Sequence, residues 1–262
     1  MKAVAAALII LAIPVWLLAK CGRMELGGIE FVYRLPAKIE KNARVMVVFG
    51  GRNWPGEKTI KTFNFDKLAD KHSLILLSPS FKDDEYWQPE KWSGKLLLKA
   101  VEALNSKYSL PDRKLLFYGY SAGGQCANLF YNYMPERVEA WGLHACGVYP
   151  QAPQKNGAPA FATCGLLDSD RVRISKIFIY KYRELGGNII WKTYAGGHEL
   201  NGEALDFARQ FFDDILGGSA SPICVGEDET MLVLPPHRAR EIDIEFRNPL
   251  YSEKLKKLWE AR

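Results

Sequence analysis

Lys114-Leu115-Leu116-Phe117-Tyr118-Gly119-Tyr120-Ser121-Ala122-Gly123-Gly124 reads as a short apolar strand that breaks at a serine set between glycines. The residues that follow, Gln125 to Tyr131, carry a helical pattern. Gly119-x-Ser121-x-Gly123 after a strand and before a helix is a nucleophile elbow. The turn is too tight for side chains at its two flanking positions, and its strained backbone lifts the serine hydroxyl clear of the sheet. As a bare pattern this motif is common by chance. Its weight comes from what surrounds it.

Outward from the elbow, strands alternate with helices. Arg44 to Phe49 and Ser73 to Ser78 are nearly unbroken apolar runs, the mark of strands buried on both faces. Ile29 to Leu35 reads as a first strand after a loose start at Gly27-Gly28, and Gly50 to Gly56 as a loop. Helices are expected over 65–72, 92–108 and 169–185, with a last one over 202–216. Strands are expected at 138–145, 158–164 and 188–194. The alternation predicts an α/β fold, a mostly parallel sheet with helices on both faces.

In such a sheet, functional groups collect beyond the carboxyl ends of the strands. Ser121 follows the elbow strand, Asp168 closes Gly165-Leu166-Leu167-Asp168, and His198 closes Ala195-Gly196-Gly197-His198. A serine hydroxyl needs a base to become a nucleophile, and the base needs a carboxylate to fix its tautomer. His198 is the candidate base and Asp168 the candidate acid. Asp170 is the rival acid, read instead as the cap of the following helix. The Ala122 backbone N–H, at a helix start, is a candidate oxyanion donor. The second is expected from Gly51 or Arg52, in the glycine turn after the early buried strand. Trp54, Tyr86, Trp87 and Trp92 are candidates for a substrate rim. His72, His144 and His237 fit no catalytic role, and no metal-ligand spacing or phosphate loop is present.

The 262 residues suit one large domain with a tail, and 48% hydrophobic residues suffice for a substantial core. The net charge of +5 is spread out, with no basic arm of the kind nucleic-acid binding needs. Lys2 precedes an uncharged run from Ala3 to Ala19, followed by Lys20, Cys21 and Arg23. Residues 1–23 are therefore read as a signal peptide or membrane anchor, with export to the periplasm or the extracellular space expected. Leu18-Ala19-Lys20-Cys21 looks like a lipoprotein signal, but Lys20 stands where a small residue is required. Cleaved, lipidated and retained forms, the last two tethering the chain to a membrane, all stay open. Residues 24–218 are read as the catalytic domain and 219–262 as a charged tail with a terminal helix capped by Ser252. Cys126, Cys146, Cys164 and Cys224 form no CxxC pair; in an exported chain one or two disulfides are compatible with them.

Phe49-Gly50-Gly51, Gly119-Tyr120-Ser121-Ala122-Gly123-Gly124, Gly165-Leu166-Leu167-Asp168 and Gly197-His198 together resemble the α/β-hydrolase superfamily. Within it the chain is similar to exported esterases related to polyhydroxybutyrate depolymerases and feruloyl esterases. The resemblance spans roughly residues 29 to 216. It implies a serine-nucleophile carboxylic ester hydrolase that works without a cofactor through an acyl-enzyme. Ser121 would be the nucleophile, Asp168 the acid and His198 the base, with a small-molecule or polysaccharide-linked ester as substrate. Phe49 departs from the family, where a histidine usually precedes the oxyanion glycines. Two other readings stand beside it. One is a serine peptidase of the prolyl-oligopeptidase type, for which no peptide-terminus recognition element is visible. The other is a binding module that keeps the fold without the chemistry, against which Ser121, Asp168 and His198 argue.

Overall fold

The structure is a computed structural model that describes residues 21–82, 87–149, 157–219 and 221–261. Eight strands form the main sheet: β1 (Cys21–Leu26), β2 (Ile29–Arg34), β3 (Arg44–Phe49), β4 (Leu74–Pro79), β5 (Leu115–Tyr120), β6 (Val138–His144), β7 (Ala160–Gly165) and β8 (Ile189–Tyr194). Their spatial order is β1-β2-β4-β3-β5-β6-β7-β8. β1 and β2 run antiparallel to their neighbours, and every pairing from β4 to β8 is parallel. β4, β5 and β7 are buried at every residue, as continuous apolar runs require when helices cover both faces.

The helices are α1 (Gly56–Phe63), α2 (Asp66–His72), α3 (Gly94–Tyr108), α4 (Ala122–Tyr133), α5 (Ser169–Glu184) and α6 (Gly202–Leu216). α1, α2 and α6 share one face, where Phe65 meets Phe212 edge-on and Lys71 and His72 bond Asp213. α3, α4 and α5 cover the other face, where Trp141 of β6 lies between Tyr131 and Tyr182. The chain leaves β3 in one direction to reach β4 and returns to the opposite side of β3 to form β5. The crevice between the ends of β3 and β5 is therefore the topological switch point, where ligands settle in open α/β sheets.

Both ends of the sheet differ from the sequence expectation. Cys21, Gly22 and Arg23, assigned above to the leader, are the first residues of β1. Gly27 and Gly28 form a tight hairpin with φ of 56° and 77° rather than a loose start, because glycine adopts these angles without cost. Residues 1–20 lie outside the described residues. Among the described residues no helix is long and apolar enough to cross a membrane. The expected loop at 50–56 ends at Pro55, where α1 begins.

At the far end, the chain past 218 builds a second sheet, β10 (Val233–Leu234), β9 (Cys224–Glu227) and β11 (Arg247–Leu250), followed by α7 (Glu253–Glu260). Ser252 caps α7, accepting from Leu255 N. β8 is the outer strand of the main sheet, and the tail satisfies its edge with side chains. Trp191 N donates to Asn248 Oδ1 at 2.7 Å, and Trp259 Nε1 donates to Trp191 O at 3.0 Å. Arg183 and Asp228, each 2% exposed, form an ion pair at 2.5 Å beneath this contact. Arg183 Nη2 also donates to Asn248 Oδ1 at 2.7 Å.

Candidate active site

Ser121 holds a strained backbone conformation. Its φ of 55° and ψ of −119° lie in a region that residues with a side chain avoid, and such strain persists only where the surroundings enforce it. The surroundings here are two glycines. A Cβ on Gly119 would overlap the Gly123 carbonyl, and a Cβ on Gly123 would overlap the carbonyl oxygens of Phe49 and Gly50. The glycines thus let α4 start against β5 and against the end of β3. This close approach brings the serine turn beside Gly51.

Ser121 Oγ lies 2.9 Å from His198 Nε2, and His198 Nδ1 lies 2.8 Å from Asp168 Oδ2. A carboxylate only accepts, so Nδ1 carries the imidazole proton, and Nε2 is left with a lone pair facing the serine hydroxyl. Asp168 is buried with its side chain 8% exposed, whereas His198 is 34% exposed at the mouth. Asp170 points away from His198: its side chain is 85% exposed and faces Arg173. The backbone cap position of α5 is held by Asp168 itself, whose carboxylate makes no capping hydrogen bond.

The loops carrying Asp168 and His198 are fastened to each other. Leu166 N donates to Tyr194 O and Leu167 N to Gly196 O, both at 2.8 Å. A Cβ on Gly165 would overlap the carbonyls of Gly196 and Gly197, so the approach requires glycine at that position. Two residues not singled out in the sequence as functional hold the next carbonyls of the histidine loop. Tyr120 OH donates to His198 O at 3.2 Å, and its ring stacks between His144 and His198. His144 Nε2 donates to Glu199 O at 2.7 Å, while Nδ1 accepts from Thr163 Oγ1 at 2.7 Å. Burial pushes the His144 imidazole down to about 4, so it stays neutral near pH 7 and serves as a fixed donor. Register explains the cluster: Tyr120 pairs with His144 and His144 with Thr163 across adjacent strands. Such pairings are set by sheet order, so the linear chain carries no signal for them.

Gly51 is buried beneath the Trp54 indole; a Cβ there would meet Trp54 Cε2 and Nε1 at 3.2 Å. Trp54 N donates to Gly51 O at 3.0 Å, closing the turn. The Ala122 N–H, in the first turn of α4, has no acceptor within its own helix. Arg52 is exposed, its guanidinium carbon 5.2 Å from the centre of the Trp87 ring. Trp54 is half-buried, with the Tyr120 ring 5.6 Å away and Lys58 Nζ 4.1 Å from its own ring centre. A groove of about 520 Å3 opens on the side of Trp54 that faces β1, β2 and Lys82. Trp92 turns inward onto Phe81, 6.0 Å between ring centres, and Tyr86 lies outside the described residues. The structure thus brings Trp54 to the elbow and directs Trp92 into packing.

Four of the five cysteines are buried, and Cys21 on β1 is exposed. All five are free thiols, and burial pushes Cys146 and Cys164 up to about 12 and raises Cys126. Among the described residues no group of three His, Cys, Asp or Glu side chains could hold a metal ion.

Comparison with solved structures bears on the fold. An esterase from Pyrobaculum calidifontis superposes with a TM-score of 0.60 over 75% of this chain and 84% of its own, at 14% identity. The Bacillus cereus carboxylesterase gives 0.59 over 72% of this chain and 95% of its own, also at 14% identity. The chain has the α/β-hydrolase fold. Poly(aspartic acid) hydrolase-1 from Sphingomonas sp. KT-1 shares that fold, at 18% identity and a TM-score of 0.55, over 72% of this chain and 97% of its own. No family model matches the chain, and no curated protein matches it in sequence. At these identities the likeness speaks for the α/β-hydrolase fold alone.

Proposed function

We propose that this α/β-hydrolase-fold protein is a serine-dependent carboxylic ester hydrolase that works through an acyl-enzyme on Ser121. The observation that carries the reading is the continuous chain from Ser121 Oγ through His198 to Asp168, at 2.9 and 2.8 Å. His198 Nε2 takes the serine proton as Oγ attacks the ester carbonyl, and Asp168 stabilises the imidazolium that forms. The Ala122 N–H and one from Gly51 or Arg52 receive the oxyanion; one such donor is worth roughly 100–1000-fold in turnover. The imidazolium then passes its proton to the leaving alcohol. Water, deprotonated by the same Nε2, hydrolyses the acyl-enzyme and regenerates Ser121. Trp54 forms the rim of the site, with the Arg52 guanidinium next to it over the Trp87 ring.

Esterases among the structures of like fold support the ester as substrate. The likeness of the glycine motifs to polyhydroxybutyrate depolymerases and feruloyl esterases, and export directed by the first segment, belong to the same proposal. A fluorophosphonate probe should label the purified protein, and Ser121→Ala should abolish both the label and turnover of a short-chain p-nitrophenyl ester. Labelling that persists in Ser121→Ala would sink the reading. Faster cleavage of aminoacyl amides than of esters would redirect it to a peptidase.

A further inference from the structure

Asp168 has two carboxylate oxygens, and His198 uses only one. The other, Oδ1, accepts a hydrogen bond from Arg171 Nη1 at 2.9 Å. Arg171 stands three residues on, in the first turn of α5. Its side chain lies across Gly147, in the segment after β6, where a Cβ would come within 3.2 Å of Nε and 3.3 Å of Cγ. The guanidinium is therefore held between a glycine and a buried carboxylate, itself 36% exposed at the edge of the site.

The position of Asp168 makes this contact consequential. Aspartate at a helix N-cap normally turns its carboxylate onto the backbone N–H groups of the first turn. Asp168 occupies that position in α5 but makes no such bond. Turned onto its own helix, it would leave His198 Nδ1 without an acceptor. The rotation about the terminal bond of an aspartate is soft, so something must select the productive orientation. Arg171 takes Oδ1 in a charge-assisted bond, stronger than a bond to a neutral backbone donor.

We propose that Arg171 is a positioning residue for the reaction at Ser121, holding Asp168 off its own helix N-terminus so that Oδ2 faces His198. The inference rests on the ester-hydrolase reading of the site, but its geometry can be tested without a substrate. Arg171→Gln frees the carboxylate to cap α5, and Arg171→Lys retains a cation.

Two measurements test it. In the proton spectrum, the downfield resonance of His198 Nδ1–H should be sharp in the wild type, broadened or lost in Arg171→Gln and restored in Arg171→Lys. An unchanged resonance in folded Arg171→Gln overturns the proposal whether or not any ester is turned over. In steady-state kinetics on a p-nitrophenyl ester, Arg171→Gln should lower kcat by roughly five- to tenfold, the scale of a competing cap, with KM unchanged. In an Asp168→Asn background the same change should cost nothing further, since the coupling runs through Asp168. An equal loss in both backgrounds overturns the proposal, as does a rise in KM with kcat intact, which would make Arg171 a substrate contact. Ester turnover at the wild-type rate in Ser121→Ala would refute the serine-dependent reading of the site alone, leaving the spectroscopic result on Arg171 standing.

Discussion

His144 shows how much one buried side chain contributes to a site it never enters. Its two ring nitrogens join β7 to the loop that carries His198, through Thr163 and the Glu199 carbonyl. The ring has no exposed surface, and burial lowers its protonation from 6.5 to about 4. The unfolded chain takes up that proton near pH 6.5, so between 6.5 and 4 the unfolded state binds more protons than the folded one. Stability from this residue is therefore complete above 6.5 and is lost as the pH falls through the window, about 3 kcal/mol in all. His144→Gln keeps a donor for Glu199 and an acceptor for Thr163 but does not titrate. Urea midpoints measured between pH 7 and 4 should fall more steeply for the wild type than for His144→Gln; parallel curves would show that another group governs acid sensitivity. In the sequence His144 reads as a packed strand residue. It is packed, but its partners come from two other strand ends that only the sheet brings together.

At the scale of elements, the elbow depends on how closely β5, α4 and β3 can meet. Gly123 lies against the carbonyls of Phe49 and Gly50, at the start of the turn that contains Gly51. A methyl group there has no room, and forcing one in displaces backbone, which costs more than moving a flexible side chain. Gly123→Ala should lower stability by about 1–3 kcal/mol. It should lower kcat as well, because the same shift moves the Gly51 turn away from Ser121. Thermal unfolding and esterase kinetics on one preparation would check both, and full activity in a folded Gly123→Ala would refute the close contact. The elbow was legible because strand, turn and helix are contiguous there. β1 was less so: it follows the apolar run of the first twenty residues and alternates exposed with half-buried residues, so no continuous run marks it. α1, entered through Pro55 and beginning with Gly56, carries residues that in a linear reading signal a loop.

For the whole molecule, the segment past residue 218 is part of the packing of the main sheet. It covers the β8 edge, whose Trp191 N–H and carbonyl would otherwise offer themselves to another chain. Lys192 reaches out of β8 to the carbonyls of Trp259 and Ala261 at the end of α7. Beneath these contacts Arg183 holds Asp228 and Asn248 in a buried polar network. Arg183→Met should destabilise the protein by about 3–5 kcal/mol, since Asp228 is left buried without its partner. Converting Asp228 to Leu in the same chain should recover much of that loss, because a buried pair replaced by apolar groups leaves no orphaned charge. Denaturant unfolding of the single and double variants decides it; an Arg183→Met protein as stable as the wild type would mean that the tail is loosely held.

The sequence alone determined the parts that depend on neighbours along the chain. Continuous apolar runs mark strands buried on both faces, helical periods mark their covers, and the glycines flanking Ser121 mark its tight turn. Chain order past successive strand ends also singled out Asp168 and His198, because a parallel sheet gathers those ends on one side. What only the tertiary structure decided depends on residues far apart in the chain. That Asp168 and not Asp170 meets His198 follows from which carboxylate the start of α5 aims at it. The pins at Tyr120 and His144 follow from strand register. The small sheet of the tail forms from short segments containing Gly226, Asn248 and Pro249, residues poor in intrinsic strand preference, whose pairing is selected by the β8 edge they cover.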